Sequence, residues 1–66
     1  MSRKLRIARL VADKTQLQLS EESGISKDYI SALERGITKN PSLDTMKKLS
    51  KALDVSIIDL FLTEEE

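Results

Sequence analysis

The stretch TQLQLSEESGISKDYISALERG, residues 15–36, holds two helix starts and two helix stops. Thr15 stands three residues before Gln18, the spacing of a capping box, in which each side chain takes up a backbone N–H near the other residue. A short helix over about residues 16–23 follows, with Leu19 and Ser20 on its inward side. Gly24 is free to adopt the left-handed backbone that ends a helix, and Ile25 is expected to bury in the corner this creates. Ser26 caps the next helix, which carries Ile30 and Leu33 inward, three apart, and closes at Gly36. Two short helices are thus joined by a tight glycine turn, and the second is polar on its outer face.

On the N-terminal side, Leu5, Ala8 and Ala12 are spaced three and four apart and predict a helix from about Arg3 to Ala12. Asp13 takes the left-handed stop, a conformation that aspartate tolerates better than most residues. On the C-terminal side, ITKNP, residues 37–41, reads as an exposed connection, since the residue before Pro41 is pushed out of helical geometry. Ser42 caps a fourth helix with an apolar stripe of Leu43, Met46, Leu49, Ala52 and Leu53. Ser56, three before Asp59, caps a last short helix to which Ile57, Leu60 and Phe61 supply apolar contacts. No stretch alternates with the period of a strand. The expected fold is all-α, with five short helices in a single domain over residues 1–62 and an acidic tail at 63–66.

A chain of 66 residues is near the lower limit at which a hydrophobic core holds without disulfides or metals. It has no cysteine and no histidine, which removes thiolate nucleophiles, the commonest zinc ligands and the usual general base at neutral pH. Glu21 and Glu22 are adjacent and point apart on a helix, so they form no paired acid and base. Neither an enzyme nor a cofactor or metal protein is expected. No signal-like segment opens the sequence and no apolar run approaches membrane-spanning length, so a cytoplasmic location away from the membrane is expected.

Eleven basic and eleven acidic residues cancel overall, but they are not mixed evenly. Residues 1–39 carry eight basic against five acidic side chains, net +3, while residues 40–66 carry three against six, net −3. One end can face phosphates while the other is repelled by them. A solvated surface with charges placed by chance accounts for the same pattern.

The 15–36 stretch closely resembles the helix-turn-helix of the phage-repressor family, the Cro/CI or Xre type. That family's pattern is Thr-Gln, two variable residues, Leu-Ala, three variable, Gly-Val-Ser, then Ile-Ser, Glu and Gly. Thr15, Gln16, Leu19, Gly24, Ile25, Ser26, Ile30, Ser31, Glu34 and Gly36 fit it directly or by a conservative change. NPSLDTMKKLSKALDVS, residues 40–56, resembles the family's fourth helix and its turn, so the likeness covers nearly the whole chain. Asp13, Lys14, Ser20 and Asp54 depart from the pattern, at positions that bear on local stability and not on a reading surface.

The resemblance implies a lambda-repressor-like DNA-binding domain that regulates transcription, most simply as a repressor, from a bacterial or phage-encoded chain. The third helix would lie in the major groove with Lys27, Asp28, Ser31 and Ala32 toward base edges, Lys27 toward guanine O6 and N7. Gln16 would clamp a phosphate at the start of the second helix, with Ser26, Tyr29 and Arg35 along the backbone, and Tyr29 alternatively on a thymine methyl group. Thr38, Lys39, Asn40 and Ser42 would grip the sugar-phosphate backbone across the groove. Arg9 and Glu34 match a pair that forms a buried salt bridge between the first helix and the end of the third.

Two features admit two readings each. Asp28 is favoured by the helix dipole alone, by about 0.3–1 kcal/mol, yet a carboxylate in the groove also accepts from cytosine N4. Ile7, Leu10 and Val11 form a second apolar face on the first helix, and scattered apolar exposure is ordinary. Ile58, Phe61 and Leu62 on the last helix are better candidates for a partner surface. Since the family binds near-palindromic sites as twofold dimers, a homodimer through these residues is expected, with recognition helices roughly 34 Å apart. The competing function is an antitoxin or other protein-interaction module whose DNA contact is auxiliary.

Overall fold

The second, third and fourth helices each begin and end on residues suited to those places. The computed structural model describes residues 3–38 and 40–62, with the side chain of Leu62 outside the description, as are Lys39 and the expected acidic tail at 63–66. The helices are α1 Arg3–Val11, α2 Gln16–Ser23, α3 Lys27–Glu34 and α4 Leu43–Leu53, followed by a π-helical turn at Ile58–Leu62; no strand occurs among the described residues. Thr15 Oγ1 accepts from the Gln18 N–H at 3.0 Å while Thr15 N–H donates to Gln18 Oε1 at 2.8 Å, completing the capping box of α2. Ser26, Ser42 and Ser56 each accept the N–H three residues on, all at 3.1 Å. The last segment forms the fifth short helix expected there, with π geometry.

The helix stops are equally local. Among the described residues Asp13, Gly24, Gly36 and Asp54 are left-handed, with φ of 60°, 80°, 76° and 58°. Around Asp13, Gly36 and Asp54 the chain closes by the paired bonds of a Schellman motif. For α1 these are Lys14 N–H to Arg9 C=O at 3.1 Å and Asp13 N–H to Leu10 C=O at 2.9 Å. Val55 N–H to Ser50 C=O at 3.1 Å and Asp54 N–H to Lys51 C=O at 3.3 Å repeat the arrangement at the end of α4. Gly24 ends α2 by a single bond from its N–H to Ser20 C=O at 2.9 Å.

Seven buried aliphatic side chains make the core among the described residues: Leu5, Leu19, Ile30, Leu33, Leu49, Leu53 and Leu60. Every helix and the closing turn supplies at least one of them. α2 packs on α3 and α4, and α1 packs on α3 and the closing turn. Ala8, Ala12, Ile25, Tyr29 and Phe61 are half-buried against the core. Leu43 does not join the stripe expected of it and is 57 % exposed. As the first residue of α4 its Cα–Cβ bond tilts back beyond the helix end, past the neighbours that cover Leu49 and Leu53.

Among the described residues, one buried charged pair crosses this small core. Arg9 Nε lies 2.7 Å from Glu34 Oε2 and its Nη2 3.0 Å from Oε1, with side chains 9 % and 3 % exposed. The remaining Arg9 Nη1 donates to Lys14 C=O at 2.8 Å. The hydrogen bonds to Glu34 hold the guanidinium's pKa above its ordinary high value, against the opposing effect of burial. A folded-state pKa raised in this way contributes stability that is complete below the unfolded arginine pKa and lost only above it.

Two predictions follow from these elements. Leaving one charge of a buried pair without its partner costs about 3–5 kcal/mol, against a total of roughly 3–10 kcal/mol for a domain of this size. Arg9→Ala or Glu34→Ala should therefore abolish or nearly abolish cooperative unfolding by circular dichroism, whereas the contribution of the raised Arg9 pKa to wild-type stability should not change from pH 6 to 9, far below the arginine range. Asp54→Gly and Asp13→Gly relieve a left-handed L-residue at some cost in chain entropy, a net gain of up to about 1 kcal/mol each. Thermal unfolding should show this as a rise approaching roughly 4–8 °C, and Gly24→Ala should fall by a similar amount although nothing lies within 4 Å of the added methyl.

Candidate nucleic-acid interface

The turn between α2 and α3 is built to hold α3 at a fixed angle. Ser23 is 9 % exposed and its Oγ accepts the Ile25 N–H at 3.1 Å, immediately before Ser26 caps α3. With Ile30 and Leu33 buried, the opposite side of α3 carries Lys27, Asp28, Ser31, Ala32 and Arg35. These positions lie three and four apart and form one stripe. Lys27, Asp28 and Arg35 are exposed, while Ser31 and Ala32 are half-buried. Short side chains in the middle let the helix backbone approach a surface closely, and the long cations at either end reach past its edges. Eight residues of α-helix are about 12 Å long, close to the roughly 12 Å width of the major groove.

Other expected contact residues are partly engaged within the protein. Gln16 Nε2 donates to Glu34 Oε1 at 3.0 Å, so the amide expected on a phosphate is held by the buried ion pair. An amide nitrogen has two N–H groups, and one donor remains for a second acceptor. The hydroxyls of Ser26 and Ser42 serve as helix caps, and Ser42 Oγ also donates to Thr45 Oγ1 at 3.0 Å. Tyr29 rests its ring against the core at the flank of the stripe. Thr38 is half-buried and Asn40 exposed in the connection to α4, whereas Lys39 lies outside the described residues.

Sequence reasoning missed three contacts around this surface. Ser23 was legible in principle, because a serine before glycine at a helix end favours a turn bonded to its own hydroxyl. The Gln16–Glu34 bond joins residues eighteen apart and has no local signal. Lys14, a departure from the family pattern, pairs with Glu22 and ties the α1–α2 connection to the last turn of α2. On the far side, Ile58 is 60 % exposed and Phe61 is half-buried in the core, so of the expected partner surface Ile58 is the outward member. Ile7, Leu10 and Val11 face outward on α1 at 52 %, 52 % and 81 %. No described helix is long and apolar enough to cross a membrane, and no group of metal-binding side chains occurs among the described residues.

A family model described as helix-turn-helix matches residues 5–60. The chain is similar to the HTH-type transcriptional regulator SlrR of Bacillus subtilis, 49 % identical over 47 residues, covering 71 % of this chain and 31 % of that protein. It is 39 % identical over 49 residues to the regulator SinR of Bacillus licheniformis, covering 74 % and 44 %. It thus spans less than half the length of these two relatives. An HTH-type transcriptional regulator of Methanocaldococcus jannaschii is 35 % identical over 66 residues, covering 100 % of this chain and 98 % of its own. No solved structure matches the chain significantly. Matched over most of its length and to regulators from both bacteria and an archaeon, the chain belongs to the helix-turn-helix family of phage-repressor, Xre or Cro/CI, type.

Proposed function

We propose that this chain reads double-stranded DNA as a transcriptional repressor, binding a near-palindromic operator as a homodimer with α3 in the major groove. The observation that carries this reading is the outward stripe of α3: short side chains flanked by the exposed cations Lys27 and Arg35. Lys27 is placed to donate to guanine O6 and N7, while Ser31 and Ala32 lie against base edges. Arg35, Tyr29, Thr38, Lys39, Asn40 and the start of α4 at Ser42 take the phosphates. Gln16 adds its second amide N–H, oriented by Glu34. Such a protein works wherever the DNA is, which for a bacterial or phage repressor is the cytoplasm.

Dimerisation suits the dimensions of the domain. Its longest axis is 28 Å, so one copy fits each of two successive major grooves roughly 34 Å apart. Ile58 and the face around it supply the outward apolar surface. The stripe Ile7, Leu10 and Val11 favours a second reading, in which the chain also docks another protein, as an antitoxin does.

Selection from a random duplex pool tests the main reading. The intact protein should enrich a near-palindrome, and Lys27→Ala, a side chain with no role in the fold, should lose or relax one position in each half-site. In salt titrations of the enriched site, Arg35→Ala should weaken binding to all sequences alike and lower the slope of log K against log salt by about 1. Sedimentation should show dimers at high micromolar concentration or on operator DNA, and Ile58→Asp should return the protein to monomers. Failure to bind any duplex at low salt would move the search to a protein partner.

A further inference from the structure

Asp28 sits in the first turn of α3 on the proposed DNA face, where a negative charge opposes approach to phosphates. The helix dipole accounts for an acid in the first turn of α3, and a base-reading role adds to that contribution without replacing it. Ser26 already caps α3 by accepting the Tyr29 N–H, and Asp28 makes no hydrogen bond or ion pair among the described residues. The carboxylate is exposed, and it shares the stripe with Ala32, one turn further on, whose methyl group leaves the space beyond it open. Lys27 beside it is likewise exposed and makes no side-chain hydrogen bond or ion pair among the described residues, so the leading turn presents a donor and an acceptor side by side.

We infer that Asp28 is a specificity-determining residue that selects cytosine at one position of each half-site. This rests on the reading of α3 as the DNA-facing helix. A carboxylate only accepts hydrogen bonds, so in the major groove it needs an exocyclic amine. Guanine and thymine offer O6 or O4 there and repel it. Adenine offers its N6 amine beside its own N7 acceptor, which meets the second carboxylate oxygen unfavourably, whereas cytosine offers N4 beside its C5–H, with no acceptor on the same base. The charge lowers affinity for every sequence through the phosphates and returns affinity only where the amine is present. Discrimination comes from rejecting the wrong base as much as from binding the right one.

The test is selection from random duplex DNA with the wild type, Asp28→Asn and Asp28→Ala, each checked for folding by circular dichroism. An asparagine side chain pairs with adenine N6 and N7. Wild type should enrich a motif with cytosine at one column of each half-site, preferred about tenfold over the other bases in direct titration. Asp28→Asn should convert that column alone to adenine. Asp28→Ala should flatten it and bind random duplex more tightly than wild type at low salt. A wild-type motif that both variants reproduce unchanged overturns the inference and leaves DNA reading by α3 standing. If the wild type enriches no motif, DNA reading itself fails, and the assignment of Asp28 with it.

Discussion

The buried contact between Arg9 and Glu34 is the constraint on which the rest of this domain depends. Its carboxylate receives two bonds from Arg9 on α1 and one from Gln16 at the start of α2, while Arg9 also reaches the carbonyl of Lys14. Four points along the chain are therefore tied to one charged centre. Burying charge is costly, and apolar residues of the same volume often hold a fold equally well. What the charged pair adds is direction: its forked geometry admits one arrangement of α1, α2 and the end of α3. The same network aims the Gln16 amide, so the groups that set the fold also set one element of the surface.

Around that centre the protein relies on local signals at nearly every helix end. A core of seven aliphatic side chains leaves little to enforce boundaries from a distance. Threonine and serine caps start α2, α3 and α4, and left-handed residues stop α1 through α4. α2 shows how far this goes, since Leu19 is its one buried apolar side chain and Leu17 is 53 % exposed. Its position is set by its capping box, Gly24 and the neighbours it lies between.

This reliance on local signals is why most of the fold was legible. Capping boxes, left-handed stops and apolar spacing are written within four residues of where they act, so α2, α3 and the left-handed Asp13 could be read from composition and spacing alone. Leu43 misled because the stripe it belongs to extends one residue beyond the partner that covers it. The π geometry of the closing turn and the bond from Gln16 to Glu34 depend on how distant segments meet, which spacing does not encode. Of the candidate interface, the outward side of α3 was legible as the complement of Ile30 and Leu33. The internal engagement of Gln16 was visible only once the helices were in place, whereas the capping roles of Ser26 and Ser42 were legible from their positions.

The distribution of the core also governs how the molecule comes and goes. Since each segment donates only one to two of the seven core side chains, no fragment owns enough apolar area to persist alone, and the chain folds as one cooperative unit. Helical connections this short place most contacts close in sequence, the condition for folding in microseconds to milliseconds. A small stability reached that quickly keeps the protein in constant exchange with an open form that proteases attack. Any ligand that binds only the folded form withdraws molecules from that exchange. The lifetime of each copy is thus coupled to whether it is occupied.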